Sequence, residues 1–303
     1  MKKLLAAVLL TALALPAMAK ETITIVYSWS LGDKAANIYR RMAEEANQLQ
    51  DKYHFVVDAK PGAGGSIAAN YILNTPNTII ANSSAFFIRP NFFPNESHDL
   101  TKFKEMIPVC SAPFIISSRN YRSWDEVPAN AKLTIGTSGA GTTTHLVAAQ
   151  IATRYPNMVI VPFKSTSDAL ISALGGNIDF AVNFMGDSAQ YVIDEKNRVY
   201  ILGATGRHNM PGVPNLVDRG FPAELAQMDT PQQIMVAASI PDAKYKELHA
   251  ILAKTGKTKS YNESIAPDHC EDLTRIPESE IQDYYRNQTE FWKKMSATVK
   301  LDK

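Results

Sequence analysis

The sequence has little net charge and no long apolar run after its first residues. Its 31 lysine and arginine residues nearly balance 30 aspartate and glutamate residues, which leaves a formal net charge of +1 over 303 residues. A chain so balanced carries no basic footprint for nucleic acid or for an anionic membrane surface. No later apolar stretch approaches the ~20 residues of a membrane-spanning helix. We therefore expect neither nucleic acid nor a permanent membrane anchor as a partner.

Motifs for metals, nucleotides and hydrolysis are also missing. The six histidines are scattered, with no H-E-x-x-H and no C-x-x-C. The glycine stretches at 62–66 and 139–141 do not fit G-x-G-x-x-G, and no G-x-x-x-x-G-K-[ST] or G-x-S-x-G occurs. His145 follows Ser138 by seven residues, where capping or packing suits it better than catalysis. We expect no metal, no cofactor and no enzymatic activity.

Cysteine is scarce, with only Cys110 and Cys270 in the chain. An even count permits one disulfide in an oxidising compartment, but the sequence does not show whether the two Cα atoms lie within the roughly 7 Å that a bridge requires. The bridged and the free state both stay open at this point.

The N-terminus carries an export pattern. Lys2 and Lys3 precede the apolar run LLAAVLLTALAL, and a small-residue cleavage site ends at Ala19. A basic n-region, an apolar h-region and an A-x-A site are typical of a secretory signal peptide. We predict a signal peptide over residues 1–19, cleavage after Ala19 and a periplasmic mature protein.

Strand and helix patterns alternate along the mature chain in two blocks, one before about residue 113 and one from about 130 to 205. Such alternation predicts α/β lobes with mainly parallel sheets. We assign residues 20–112 to lobe 1 and residues 113–232 to lobe 2. The last segment, residues 233–303, is predicted to return to lobe 1 and complete it.

Two glycine-rich loops follow predicted strands and open predicted helices, Gly62–Ser66 in the first block and Gly136–His145 in the second. In open α/β sheets ligands lie beyond the carboxyl ends of the strands, where helix N-termini favour an anion. Each loop alone is as well explained by chain reversal and helix capping. One loop in each lobe favours an anion held from both sides. We expect a Cβ at Gly64 or Gly65 either to hold the ligand away or to be incompatible with the turn.

Other candidate ligand contacts flank these loops, each with a structural alternative. Lys164 follows a predicted strand and is either a cation for a carboxylate or a solvated lysine. Asn183 either bonds a ligand or caps a turn. Tyr27 and Trp29, which flank Ser28, either wall the ligand or belong to the core.

Four ordered segments carry a family resemblance: KPGAGGSIAANYI, GTSGAGTTTHLVAAQIA, VPFKSTSDALISALGGNIDF and ILGATGRHNMPGVPNLVDRGF. They resemble motifs of the Bug family, the TctC-like extracytoplasmic solute-binding receptors of tripartite tricarboxylate transporters. The resemblance runs from about Thr24 to the last predicted helix. It implies a two-lobed periplasmic-binding, or Venus flytrap, fold with the ligand cleft between the lobes.

The resemblance also implies function and site residues. It implies a receptor for a small organic acid that hands a carboxylate to membrane transporter subunits, and we expect a monomer. The alternative is an exported sensing or interaction protein with the same fold. Carried over by position, and with the flanking candidates, the ligand-binding set is Tyr27, Ser28, Trp29, Gly64, Gly65, Ser66, Ser83, Ser84, Ser138, Gly139, Ala140, Gly141, Thr142, Phe163, Lys164 and Asn183.

Two departures from the family pattern concern the ligand more than the fold. The first loop reads YSWSLGDKAAN. The resemblance implies small residues where this chain has Trp29 and Leu31, and the loop has no clear match to the aspartate of the family's first loop. Asn183 stands where the family commonly has an aspartate. The preference for a ligand amine that this aspartate would supply is therefore in question.

Overall fold

The structure is a computed structural model that describes residues 20–192, 199–206 and 208–299. The predicted signal peptide, residues 1–19, lies outside the described residues. Within these residues the chain forms two sheets flanked by helices, one in each lobe. No helix in this part of the chain combines the length and the apolar character needed to cross a bilayer.

Lobe 1 is built on a six-stranded sheet with the order β11-β4-β10-β3-β1-β2. The apolar residues of helix α1 recur at helical spacing and form one buried face. This face, with Ile38, Tyr39, Met42 and Ala46, packs against the sheet. The strands are β1 (Glu21–Tyr27), β2 (Tyr53–Ala59), β3 (Thr78–Ser83), β4 (Phe103–Ala112), β10 (Thr230–Ala237) and β11 (Glu271–Asp272), and the helices are α1 (Ala35–Leu49), α2 (Ser66–Leu73), α3 (Ala85–Phe92), α7 (Asp242–Thr255), α8 (Lys259–Ile265) and α9 (Glu278–Ser296).

Lobe 2 is built on a five-stranded sheet with the order β7-β6-β8-β5-β9. Its strands are β5 (Ile115–Ser118), β6 (Leu133–Thr137), β7 (Met158–Pro162), β8 (Phe180–Asn183) and β9 (Tyr200–Ala204), and its helices are α4 (Thr143–Ala152), α5 (Thr166–Leu174) and α6 (Met185–Val192). The cleft lies beyond the carboxyl ends of parallel strands from both lobes, as the α/β rule expects.

The sheets are more mixed than the expected mainly parallel arrangement. Strands β2, β1 and β3 are parallel in lobe 1, and β7, β6 and β8 are parallel in lobe 2. The strands next to the lobe crossings are antiparallel to their neighbours: β4 and β10 in lobe 1, β5 and β9 in lobe 2. Of these four strands, only β5 and β10, which each follow a crossing, enter their sheet from the cleft end and run opposite to its parallel strands. Strands β4 and β9, which precede the crossings, run in the same direction as the parallel strands of their sheets.

The chain crosses between the sheets twice in its described part. The first crossing is at Pro113 and Phe114, between β4 and β5, and the return lies between β9 and β10. Strand β10 begins at Thr230, so the sequence-based boundary after residue 232 falls inside this strand. Helix α9 packs against α3 and β4 of lobe 1, and Gln150 of α4 donates to Thr298 just beyond it.

A disulfide joins Cys110 of β4 to Cys270, with the two Cα atoms 5.5 Å apart. Its sequence separation is 160 residues. The bridge fixes the segment before β11 to β4, the strand next to the β11 edge of the lobe 1 sheet. By removing loop-closure entropy from the unfolded chain, such a link stabilises the fold by about 5 kcal/mol in the chain-entropy account.

Candidate functional site

Two neighbouring cavities occupy the cleft between the lobes. The inner cavity has a free volume of about 20 Å³, the room of about one water molecule. The outer cavity is larger, at about 190 Å³. Trp29 and Ser138 line both, so the indole and the serine separate the two. The inner cavity is lined by Tyr27, Trp29, Asp33, Ser83, Ala85, Phe114, Ser138, Thr142, Thr143, Thr144, Thr166, Phe184 and Gln232, and the outer cavity by Trp29, Gly62, Ala63, Gly64, Arg89, Ser138, Gly139, Ala140, Phe163 and Lys164.

The inner cavity combines aromatic walls with a buried carboxylate. The ring centroids of Tyr27 and Trp29 lie 5.7 Å apart, and those of Phe114 and Phe184 lie 4.9 Å apart. Asp33 is only 4% exposed, and its Oδ1 has no hydrogen-bond donor among the described residues. Burial, and then the nearby carboxylate of Asp187, raise the pKa of Asp33 to about 7, although the hydroxyls of Ser165 and Ser167 oppose this rise.

Asp187 of lobe 2 caps a helix of lobe 1. Helix α1 has no acidic residue in its first turn and no side-chain cap from Lys34. The Lys34 backbone N–H instead donates to Asp187 Oδ1 across the cleft at 3.1 Å. Thr166 and Ser167 also donate to this carboxylate, at 3.1 and 3.2 Å. A carboxylate at a helix N-terminus is favoured by the helix dipole, so Asp187 holds the two lobes together.

The outer cavity carries the positive charge. Arg89 is 9% exposed, and its Nη1 donates across the cleft to the Ala140 carbonyl at 3.1 Å. Its guanidinium lies 4.3 Å from the ring centroid of Phe93, while its Nε has no acceptor in the described part of the chain. Lys164 is exposed at the same cavity. The glycine loops of both lobes meet here beside these two cations.

Arg89 lies on α3, which contains Pro90. Proline has no N–H, so the Phe86 carbonyl one turn earlier lacks its helical donor. His98 Nε2 lies 3.0 Å from this carbonyl, and His98 Nδ1 lies 3.0 Å from the Ser66 hydroxyl. Burial lowers the pKa of His98 to about 4, so the ring is neutral, with Nε2 donating and Nδ1 accepting. The imidazole therefore links the first glycine loop to the helix that presents Arg89.

The turn and its packing account for the two left-handed glycines of the first loop. Gly64 and Gly65 have φ angles of +57° and +95°. A Cβ on Gly64 would lie 2.7 Å from Arg89 Cδ, and one on Gly65 would lie 2.5 Å from Asn82 Nδ2. Of the two expected explanations for these glycines, incompatibility with the turn therefore holds. A Cβ at either position would point at a protein side chain.

Hydroxyl groups order the second loop. Thr142 caps α4 by accepting from the His145 N–H, and its own hydroxyl donates to the Gly139 carbonyl at 2.7 Å. Thr144 Oγ1 accepts from the Ser138 N–H at 2.9 Å. Ser, Thr and Asn side chains at helix starts often bond in this way. The loop is therefore held rigid at the point where Ser138 lines both cavities.

The structure gathers most of the predicted residues at the cleft. Ten line one of the two cavities: Tyr27, Trp29, Gly64, Ser83, Ser138, Gly139, Ala140, Thr142, Phe163 and Lys164. The other six line neither cavity and face protein partners: Ser28 bonds the Ala81 carbonyl, Gly65 packs on Asn82, Ser66 bonds His98, Ser84 bonds Thr143 and Thr230, Gly141 packs on Phe93, and Asn183 bonds Ser117 and Ser188.

Several cleft residues were missed by the sequence reasoning. Arg89 lies in AFFIRPNFF, a segment to which the sequence analysis assigned no element, and Gln232 comes from the return strand β10. Asp33 was visible in the altered first loop but matched no family aspartate. A signal for it was the SLGDK turn itself, an acid beside a glycine at the end of a predicted strand.

Two α/β lobes joined by two crossings, with a charged cleft at the carboxyl ends of their strands, define a two-lobed solute-binding protein. The family model described as "Tripartite tricarboxylate transporter family receptor" (TctC) matches residues 38–300. The chain belongs to this family, and the resemblance drawn from the four motifs is confirmed. The family consists of solute receptors rather than enzymes.

Individual relatives are similar but distant. A "UPF0065 protein in tcbD-tcbE intergenic region" from Pseudomonas sp. (strain P51) is 23% identical over 296 residues, covering 88% of this chain and 81% of that protein. The structure of the periplasmic binding protein BugD has a TM-score of 0.82 at 18% identity and covers 92% of this chain and 97% of its own. The R. palustris protein Rpa4515 with adipate has a TM-score of 0.80 at 17% identity, covering 92% and 97%. These structures share the fold.

Proposed function

We propose that this chain is an exported, monomeric receptor that captures a small organic carboxylate between its lobes and delivers it to a tripartite tricarboxylate-type membrane transporter. Residues 1–19, with their signal-peptide pattern, support export. Membership of a transporter receptor family supports delivery to membrane subunits.

The observation that carries the proposal is the composition of the outer cavity. Backbone from a glycine loop of each lobe faces a space that also holds Arg89 and Lys164. A guanidinium and helix-start amides are the groups that bind carboxylates by charge-assisted hydrogen bonds. The proposed carboxylate contacts are Trp29, Gly64, Arg89, Ser138, Gly139, Ala140, Phe163 and Lys164.

The similar R. palustris protein was solved with adipate, a dicarboxylate, which supports this class of ligand. In the present chain the lobes already meet at Lys34–Asp187 and Arg89–Ala140. The inner cavity is too small for an organic acid in this closed state. A ligand therefore enters an open form and favours closure by contacting both lobes, which is the differential binding that a receptor of this kind needs.

Native mass spectrometry of the mature protein, purified from cells without denaturation, tests the ligand class. We expect a small-molecule adduct whose exact mass fits a carboxylate and which mild unfolding releases. Apo protein is then titrated with a panel of mono-, di- and tricarboxylates, with Arg89→Ala as the binding-deficient variant and Glu96→Gln as its control. A protein that gives no adduct and no thermal shift with any carboxylate would contradict the receptor function.

Delivery to a transporter is tested separately. Cells that lack the gene are complemented with the natural chain or with Arg89→Ala, and uptake of the labelled ligand is followed. We expect uptake only with the natural chain. Tight binding in the purified protein with no effect on uptake would instead favour an exported sensing protein.

A further inference from the structure

We infer that His208 and Asp229 form a pH-dependent latch at the hinge between the lobes. The latch, which is the contact between these two side chains, holds the closed arrangement while the imidazole is charged and loosens when the imidazole loses its proton. The hinge consists of the two crossings of the chain. The inference goes beyond the proposed function, because it concerns how the lobes close and not which molecule they bind.

The two crossings are joined to each other at Thr205, a fully buried residue that directly follows β9 of lobe 2. The Thr205 N–H donates to the Phe114 carbonyl at 2.8 Å, and the Thr205 hydroxyl accepts from the Phe114 N–H at 2.9 Å. Phe114 lies in the first crossing, directly before β5. The chain that enters lobe 2 is therefore fixed to the chain that leaves it.

Asp229 extends this link towards lobe 1. It is the last residue before β10, whose first residue, Thr230, is paired with Ala112 at the end of β4. Asp229 Oδ1 accepts from the Thr205 hydroxyl at 3.3 Å, and Asp229 Oδ2 lies 2.7 Å from His208 Nε2. Residues at the ends of elements absorb the backbone rotation of a hinge. Because Asp229 borders lobe 1 and both of its partners follow the last strand of lobe 2, opening of the lobes strains these contacts.

The backbone around His208 is shaped for the contact. The His208 N–H donates to Asn215 Oδ1 at 2.9 Å, which fixes the start of the loop that carries the ring. Gly206 has a φ angle of +70°, and a Cβ at this position would lie 2.4 Å from both Asp229 Oδ1 and His208 Nε2. The ring and the carboxylate thus meet over a turn that leaves no room for a side chain.

The charge of the imidazole decides how strong the latch is. Burial raises the pKa of Asp229, the charge and hydrogen bond of His208 oppose this rise, and Glu271 of β11 adds to it. Asp218, which accepts from Asn215, is a further acid on this side of the ring. A histidine ordinarily changes its charge between pH 5 and 8. A charge-assisted hydrogen bond is stronger than a neutral one, so closure takes up a proton and acid pH favours the closed arrangement.

Small-angle scattering of the ligand-free protein at pH 5.5 and pH 8.5 tests the latch. We expect the radius of gyration of the natural chain to be larger at pH 8.5. The two side chains of the latch are 22% and 27% exposed. For an ion pair that water partly screens, the ratio of closed to open protein should fall about three- to fivefold between the two pH values.

His208→Gln still offers a hydrogen-bond donor but carries no charge. Asp33 and Asp187 of the cleft also titrate with raised pKa values, so the change that remains in His208→Gln measures such groups. The difference between this variant and the natural chain measures the latch. Asp229→Asn, which removes the other charge, should behave like His208→Gln.

Two further variants separate charge from shape. His208→Lys keeps a positive charge at both pH values, and we expect it to remain as compact at pH 8.5 as the natural chain is at pH 5.5. His54→Gln is the control, since His54 is exposed on β2 of lobe 1, and it should behave like the natural chain. Melting temperatures at both pH values verify that all variants are folded.

The outcomes do not depend on the identity of the ligand. Equal radii of the natural chain and His208→Gln at both pH values would overturn the latch, and so would a His208→Lys protein that opens at pH 8.5. Either result would leave the proposed carboxylate receptor intact, because no ligand is present in these measurements. A failure of the proposed function in the binding and uptake experiments would likewise leave the latch unaffected.

Discussion

The two cavities of the cleft share Trp29 and Ser138 but differ in charge, exposure and origin. The inner cavity is acidic and aromatic and has almost no free volume, whereas the outer cavity is basic, lined by glycine loops and open enough for part of a ligand. The two cavities therefore offer opposite charges to whatever occupies the cleft. On the proposed function, a ligand that spans both cavities is oriented by charge as well as by shape.

The largest expected effect is the pH dependence of stability that comes from Asp33 of the inner cavity. Because the pKa of Asp33 is raised to about 7, the folded protein holds a proton that the unfolded chain releases near pH 4. The stability that comes from this group is therefore present below about pH 4 and is lost as the pH rises to 7. We expect the free energy of unfolding of the natural chain, relative to Asp33→Asn, to fall by about 4 kcal/mol over this range.

Urea unfolding of both proteins without ligand, at pH 4 to 8, measures this difference. Subtracting the unfolding free energy of Asp33→Asn removes the contribution of every group whose pKa is the same in both proteins. Asp187, whose pKa burial also raises, and Tyr27 are the titratable groups coupled to Asp33. A difference that stays constant with pH would mean that Asp33 is hydrated and that the inner cavity is not closed.

The second prediction concerns the positive charge of the outer cavity. Arg89→Ala removes the buried guanidinium and is expected to weaken carboxylate binding about 100-fold, because a buried charge at a binding site is worth several kcal/mol. Arg89→Lys is expected to recover only part of this affinity, since an ammonium cannot replace the planar fork. Glu96→Gln, which alters an exposed side chain 3.9 Å from Arg89, is the control. Unchanged binding in Arg89→Ala would remove the basis of the proposed carboxylate site.

The third prediction weakens the contact that closes both cavities. Asp187→Asn removes the charge at the N-terminus of α1, so we expect the ligand to bind three- to tenfold more weakly. Small-angle scattering should also show a larger radius of gyration without ligand. Asp168→Asn on the neighbouring helix should change neither quantity. An unchanged radius would indicate that the lobes stay closed without the Asp187 contact.

The sequence predicted the lobes and the second glycine loop well because both depend on local patterns. Strand and helix periodicity gave the alternation, and the Ser and Thr run at 138–144 is a capping signal that the structure confirms at Thr142. Four ordered motifs were enough to identify the family. Local patterns of this kind can be recognised in the sequence because each depends on only a few consecutive residues.

The charged groups of the cleft depend on distant contacts, and the sequence did not reveal them. Pro90 argued against a helix, but His98 supplies the donor that the proline removes, so α3 forms and carries Arg89. Asp33 is unusual only because folding buries it beside Asp187 and Tyr27. Gly65 shows the reverse case: the pattern marked a special glycine correctly, yet Asn82, not a ligand, is what it packs against.

The smallest expected effect separates the two cations of the outer cavity. Lys164 is exposed, while Arg89 is 9% exposed, so water and salt screen the lysine far more. We expect Lys164→Met to weaken carboxylate binding only two- to threefold. At 0.5 M salt the affinities of the variant and of the natural chain should be nearly equal. Titrations at low and high salt, with Lys132→Met as the control at an exposed site before β6, measure this effect. A loss as large as that of Arg89→Ala would mean that Lys164 becomes buried against the ligand on closure and that the carboxylate lies nearer to lobe 2.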